Sequence, residues 1–97
     1  MERIEKTVDG YWSLYQESLH CLVNRNDPYG VFNAVASAET NANDTMRETH
    51  NSDCPLDSEA AHEKWNDFFW SSLESITTYP EMPKATRAWF GRRGIQG

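Results

Sequence analysis

The chain has 97 residues, of which 38% are apolar and 12% aromatic, and its formal net charge at pH 7 is −6. This length is that of one domain, and the apolar content is too high for a disordered tail. No run of about eighteen apolar residues could span a membrane, and the N-terminal sequence MERIEKTVDG lacks the apolar segment of a signal peptide. We therefore expect a cytoplasmic protein whose cysteines, Cys21 and Cys54, are reduced thiols.

The first predicted helix covers residues 2–24. The apolar residues that follow the helical period in this segment are Ile4, Val8, Tyr11, Trp12, Tyr15, Leu19, Leu22 and Val23. Gly10 lies within the helix and costs about 1 kcal/mol relative to alanine. It therefore indicates either close packing at this point or fraying of the first two turns. The next residues, Asp27 and Pro28, are typical of an N-cap followed by the first residue of a new helix.

The second predicted helix covers residues 28–48 and has a thin apolar stripe. The stripe consists of Phe32, Val35, Ala38, Ala42 and Met46. Residues that form helices poorly are concentrated in the second half, namely Thr40, Asn41, Asn43, Asp44 and Thr45. We therefore expect this half to be irregular or mobile, followed by a loop over residues 49–56.

The third predicted helix covers residues 57–77 and contains the sequence AHEKWNDFFWSSLESI, which carries the densest apolar surface of the chain. Asp57 can cap its first turn. The helix ends before Pro80, because a proline disfavours the helical conformation of the residue that precedes it. The predicted apolar stripe consists of Ala61, Trp65, Phe68, Phe69, Ser72 and Ile76.

Trp70 does not belong to this stripe. At 100° per residue, it lies about 140° from the centre of the stripe around the helix axis. One interpretation is that a neighbouring helix or the C-terminal tail covers it, since large aromatic side chains are usually mostly buried. The other is that Trp70 is exposed and anchors a partner, because tryptophan is enriched at binding hot spots.

The C-terminal part begins with a stiff linker over residues 80–83, which contains two prolines. A short helix over residues 83–90 follows and is closed by Gly91. No segment alternates with the period of two that is typical of strands. The sequence therefore predicts an all-α domain, in which a small bundle of three main helices is followed by a short C-terminal helix and a basic tail.

Charge divides the chain into an acidic helical body over residues 1–83 and a basic segment over residues 84–97. The body has fifteen acidic and five basic residues, whereas the basic segment has four basic residues and no acidic ones. Such asymmetry can mark a tail that binds a partner. Alternatively, the tail folds back on the body and neutralises part of its charge.

Two Glu-x-x-His pairs have the spacing of the ligands in di-iron bundles, Glu17 with His20 and Glu59 with His62. That site needs all of its ligands in the bundle interior. Glu17 and Glu59 lie away from the apolar faces of their predicted helices. We therefore predict no iron site.

The sequence also gives little indication of a zinc site, a catalytic thiol or a cofactor-binding motif. Cys21, His50, Cys54 and His62 could bind zinc only without the usual CxxC or HxxxH spacing. Cys54 near His50 resembles a thiol–imidazole pair, but neither an oxyanion hole nor an orienting group accompanies it. The chain has no GxSxG elbow, phosphate-binding loop or dinucleotide-binding motif. We therefore predict no enzymatic activity, metal or cofactor.

The function class that remains is binding to another macromolecule, with another protein as the expected partner. The predicted partner-binding residues are Trp70, Arg87, Trp89, Phe90, Arg92 and Arg93. The acidic body disfavours direct contact with nucleic acid, but the tail interleaves aromatic and basic residues and could stack on bases and hold phosphates. The sequence carries no signal for an oligomeric state.

A third possibility is that an acidic surface imitates a DNA backbone and occupies the DNA channel of an enzyme. The acidic residues concerned are Glu39, Asp44, Glu48, Asp53, Asp57, Glu59, Glu63 and Asp67. Acidic residues on a helical domain also serve solubility, which is the simpler interpretation.

The overall length, the WNDFFW segment and the basic YPEMPKATRAWFGRR end together resemble the small anti-RecBCD proteins of lambdoid phages. That resemblance implies a non-enzymatic protein that binds a host exonuclease–helicase and inhibits or modifies its activity, which protects phage DNA or promotes recombination. It also implies a location in the host cytoplasm.

Overall fold

The structure, a computed structural model, describes residues 3–21, 26, 29–49 and 59–95. These residues form helices α1 (Val8–Leu19), α2 (Val31–Thr49), α3 (Glu59–Ile76) and α4 (Lys84–Gly91), and the described ranges contain no strand. The predicted all-α fold, with three main helices and a short C-terminal one, is confirmed. No helix in the described ranges is both long and apolar enough to cross a membrane.

Helices α2 and α3 pack along each other and make the most extensive contact in the molecule. The buried face of α2 is built from small residues, and Ala34, Ala38 and Ala42 are each at most 1% exposed. Small side chains allow the large residues of α3 to fill the space between the helices. Tyr11 and Leu14 of α1 complete this core from a third side.

The first helix begins at Val8 and not at residue 2, so the predicted start is wrong. Thr7 is the N-cap, and its side-chain Oγ1 accepts a hydrogen bond of 3.0 Å from the Gly10 N–H. A Cβ atom on Gly10 would lie 1.7 Å from the backbone oxygen of Glu5. The chain before α1 therefore crosses directly over Gly10, and of the two explanations for this glycine, close packing is correct.

The second half of α2 is a regular helix, so the prediction of an irregular segment is wrong. The hydroxyl of Thr40 donates to the carbonyl of Ala36 at 3.0 Å, and that of Thr45 donates to Asn41 at 2.8 Å. Ala42 and Met46 are buried against α3. Tertiary packing thus outweighs the low helix propensity of this segment. The predicted caps at Asp27 and Asp57 lie outside the described residues.

The last turn of α3 and the whole of α4 agree closely with the predicted helices over residues 57–77 and 83–90. The linker between them packs against the core through Met82, which is 3% exposed. Peptide bonds in the described ranges are all trans. Beyond α4 the chain returns to the body, where Ile95 is 1% exposed and the Ile4 N–H donates to the Arg93 carbonyl at 3.0 Å.

Candidate functional site

Trp70 and Phe90, two of the predicted partner-binding residues, lie in the core. Trp70 is 3% exposed, and its indole N–H donates to the side-chain oxygen of Asn66 at 3.0 Å. The buried face of the second half of α3 is centred near Leu73, and this shift brings Trp70 inside the fold. Phe90 has no exposed surface. The interpretation of Trp70 as a covered side chain is therefore correct, and its interpretation as an exposed anchor is wrong.

Arg93 and Trp89 fasten the C-terminal segment to α1. The Nε and Nη2 groups of Arg93 donate to the carboxylate of Glu17 at 3.2 and 3.0 Å. The guanidinium carbon lies 3.5 Å from the centroid of the Trp89 ring, which is a cation–π contact. Because Arg93 is only 5% exposed, its charge neutralises part of the acidic body and does not face solvent.

Arg87 closes the C-terminal end of α3. Its Nε donates to the Thr77 carbonyl at 3.0 Å, and its Nη2 donates to the Tyr79 carbonyl at 2.6 Å. These two hydrogen bonds attach α4 to the turn that follows α3, where the Tyr79 carbonyl also accepts from the Met82 N–H at 3.1 Å. Among the six predicted residues, Arg92 alone has a side chain that is exposed and forms no hydrogen bond within the described part of the chain.

A different surface, on α1, exposes large apolar side chains. Val8 is 40% exposed, Trp12 54% and Leu19 38%, and the half-buried Tyr15 lies between them. The spacing of four, three and four residues places all of these side chains on one face of the helix. We call Val8, Trp12, Tyr15 and Leu19 the α1 stripe.

The α1 stripe is exposed because α1 is apolar over a wider arc than its neighbours cover. Apart from Gly10, its buried residues are Tyr11, Leu14 and Ser18, and at 100° per residue the stripe is centred about 100° away from these three. The Trp12 and Tyr15 rings lie 6.4 Å apart, and Tyr15 lies 6.5 Å from Phe32 of α2, which extends the apolar surface. The width of the apolar arc is visible in the sequence and could have indicated this surface.

The charged groups around the α1 stripe are acidic. On α1 itself, Asp9 lies three residues before Trp12, whereas Glu17 lies on the opposite side of the helix and is paired with Arg93. Next to the stripe, the buried Tyr11 donates a hydrogen bond from its hydroxyl to the carboxylate of Glu39 on α2. Burial, together with this hydrogen bond and the nearby negative charge, raises the pKa of the Tyr11 phenol well above its usual range. A partner of this surface would therefore meet an apolar stripe with a negative rim.

The residues considered above as metal ligands or as a reactive thiol form no metal-binding cluster within the described ranges. No three His, Cys, Asp or Glu residues there are close enough together to hold a metal ion. Glu17 is paired with Arg93, while Glu59 and His62 are exposed. His50 and Cys54, the candidate thiol–imidazole pair, lie outside the described residues.

Comparison of the chain with protein-family models, with curated proteins and with solved structures finds no match.

Proposed function

We propose that this chain is a non-enzymatic protein that binds another protein through the α1 stripe. The observation that carries the proposal is a tryptophan, Trp12, with 54% of its surface exposed at the centre of an apolar helix face. Tryptophan is highly buried on average, and it is among the residues most enriched at binding hot spots. Of the four tryptophans, all of which are described, Trp12 alone is exposed, whereas Trp65 and Trp89 are half-buried and Trp70 is buried.

The partner that fits this surface is a protein with an apolar cleft and a basic rim. The cleft would receive Trp12, with Val8 and Leu19 at its ends. The rim would face the carboxylates of Asp9 and Glu39, since complementary charge favours association and steers the encounter. Basic rims of this kind are expected on enzymes that handle nucleic acid, because such enzymes must neutralise phosphates.

The resemblance to small anti-RecBCD proteins supports a host exonuclease–helicase of the RecBCD type as the partner. Binding would occlude part of this enzyme or favour one of its conformations, and would so inhibit or modify its activity. The contact surface differs from the one that the sequence predicted. Trp70, Phe90 and Arg93 stabilise the domain, and α1 makes the contact.

The test is a titration of purified RecBCD-type enzyme with the chain, followed by calorimetry and by exonuclease rate. We expect Trp12→Ala to weaken binding by about 30-fold, which corresponds to the loss of a hot spot of about 2 kcal/mol. Tyr79→Ala is the matched control, because Tyr79 is also an aromatic residue with 43% exposure but lies outside α1. Its affinity should equal that of the unmodified chain.

Two outcomes would overturn the proposal. One is the absence of binding by the unmodified chain. The other is equal affinity of the Trp12→Ala and Tyr79→Ala variants, which would exclude α1 as the contact surface. If, in addition, double-stranded DNA competed with the chain for the enzyme, the alternative function as an acidic DNA mimic would replace the one proposed here.

A further inference from the structure

The two ends of the chain meet and form a basic pocket. Its described lining consists of Arg3, Lys6, Gly91, Arg92 and Gly94, and its volume is about 500 Å³. Three basic side chains thus converge from the N-terminal segment and from the residues just after α4. The sequence showed Arg92 as part of a basic tail, but it did not show that Arg3 and Lys6 lie beside it.

Two of the three basic side chains of this basic pocket form no ion pair within the described ranges. Ion pairs within the described ranges join Lys6 to Glu74, Arg47 to Asp44 and Arg93 to Glu17. Arg3 and Arg92 take part in none of them, and no carboxylate is among the described residues that line the pocket. Like charges held close together repel each other. Their convergence in a chain with a net charge of −6 therefore points to an anionic ligand.

The backbone builds this arrangement, so it does not depend on chance positions of side chains. The hydrogen bond from the Ile4 N–H to the Arg93 carbonyl holds the N-terminal segment against the C-terminal one at 3.0 Å. Gly94 has φ +80°, and a Cβ atom there would lie 2.6 Å from the Nε of Arg3. The absence of a side chain at Gly94 thus provides the space in which Arg3 lies beside Arg92.

A second pocket, of about 630 Å³, adjoins the basic pocket at Gly91. Along α4 it is lined by Lys84, Arg87, Ala88 and Gly91, which share one helix face, and no carboxylate is among its described lining residues. Because Gly91 lines both pockets, they meet at this residue, and together we call them the α4 groove. From Lys84 to Gly91 the helix rises about 10 Å.

The charges on either side of Arg3 determine the direction in which a bound anion can extend. On the other side of Arg3, a third pocket is lined by Glu5, Asp9 and Glu17. An extended anion is repelled there, so from Arg3 it can continue only towards α4. Lys84, which is exposed, stands at the far end of this path, whereas the hydrogen bonds of Arg87 to backbone carbonyls leave it to contribute charge alone.

We propose that this groove binds the phosphate backbone of a single-stranded nucleic acid, with Arg3 and Arg92 at one end and Lys84 at the other. One phosphate cannot reach both ends. A groove of about 10 Å is longer than one phosphate, so successive phosphates of a strand can contact its two ends. A duplex is too wide to enter pockets of this size. The groove is separate from the α1 stripe, and the proposal does not depend on the proposed function.

The experiment measures the fluorescence anisotropy of a labelled thymidine oligonucleotide of about ten nucleotides. One phosphate contact for each of Arg3, Arg92 and Lys84 predicts that affinity falls about 20-fold between about 50 and about 200 mM salt. The slope of log affinity against log salt is negative. Alanine in place of Arg3, Lys84 or Arg92 should make it shallower by about 0.7 in each case. Arg47→Ala, which removes an ion-paired cation on α2, is the control and should leave the slope unchanged.

Four results would overturn the proposal. Three of them are no binding at about 50 mM salt, the same slope in the Arg3→Ala and Arg47→Ala variants, and a duplex that binds as tightly as the single strand. Displacement of the oligonucleotide by inorganic phosphate at constant ionic strength would also overturn it, because it would indicate a site for a free phosphate. Trp12→Ala should leave oligonucleotide binding unchanged, so failure of the proposed function would be recognised separately.

Discussion

At the scale of single residues, the fold depends on a few positions where the chain passes close to itself. Gly10 lies under the backbone of Glu5, and Gly94 lies under the side chain of Arg3. Tyr11 contacts the aromatic rings of Trp65 and Phe69 at centroid distances of 4.9 Å and also donates to Glu39. These contacts link segments that are distant in the sequence, so substitutions here should have large effects.

Gly10→Ala should lower the free energy of unfolding by about 1–3 kcal/mol, the usual cost of inserting an atom into a filled space. The new Cβ would lie 1.7 Å from the Glu5 oxygen, so the segment before α1 would have to move. Urea denaturation measures the effect. Gln16→Ala, an exposed substitution in the same helix, is the control and should change the free energy by at most about 0.5 kcal/mol.

The raised pKa of Tyr11 predicts a loss of stability in alkaline solution. In the unfolded chain the phenol titrates near its ordinary value of 10.0, whereas in the folded chain it stays protonated at that pH. The contribution of Tyr11 to the free energy of unfolding is therefore fully present below about pH 10. It is lost as pH rises above that value, by about 1.4 kcal/mol per pH unit at most.

Tyr11→Phe should remove this part of the pH dependence, and Tyr79→Phe should retain it, because Tyr79 is exposed. The measurement is the free energy of unfolding of both variants between about pH 8 and about pH 11. Equal pH dependence of the two variants would show that the Tyr11 phenol has an ordinary pKa.

At the scale of elements, α1 differs from the other helices because it has two apolar faces. One face packs into the core through Leu14, which has no exposed surface, and the other is the α1 stripe.

In helix α3, by contrast, most of the aromatic surface is covered by α1 and α2. The α2 helix shows that burial of Ala42 and Met46 can hold a threonine- and asparagine-rich segment in helical form.

Substitutions on the two faces of α1 should therefore separate stability from binding. Leu14→Ala should lower the free energy of unfolding by about 2–5 kcal/mol, because it leaves a cavity in the core. Trp12→Ala should cost less than about 1 kcal/mol, because more than half of Trp12 is already in water. Thermal or urea denaturation of both variants measures the difference. Similar losses would mean that Trp12 belongs to the core.

At the scale of the whole molecule, the basic C-terminal segment is part of the domain. Of the two interpretations of the charge asymmetry, the one in which the tail folds back on the body holds for residues 84–95. The returning chain neutralises Glu17 through Arg93, and it places Arg92 beside Arg3. One segment thus stabilises the acidic body and also creates the basic groove.

Ile95→Ala should lower the free energy of unfolding by about 2–5 kcal/mol, as expected for a side chain that is fully packed. The side chain is 1% exposed and belongs to the main core cluster. Arg92→Ala is the neighbouring control and should change stability by at most about 0.5 kcal/mol, because Arg92 is exposed. A stability loss below about 1 kcal/mol for Ile95→Ala would indicate that the C-terminal segment is not docked.

The sequence by itself determined the helical class, the positions of α3 and α4 and the lack of a recognisable catalytic motif. These properties are local, because the helical period, the proline after α3 and the motif spacings all lie within short segments. The start of α1 depended instead on Glu5 crossing over Gly10. The regular second half of α2 depended on the helix that packs against it.

Only the tertiary structure decided which apolar residues are covered. As tryptophans, Trp70 and Trp12 are equally suited to anchor a partner. However, Trp70 is buried in the core, whereas the helices that pack on α1 leave Trp12 exposed. The meeting of Arg3 with Arg92 was equally invisible, since these residues are joined only by the folded chain. The physical reason is that exposure and charge convergence depend on which segments pack together, which is a non-local property of the chain.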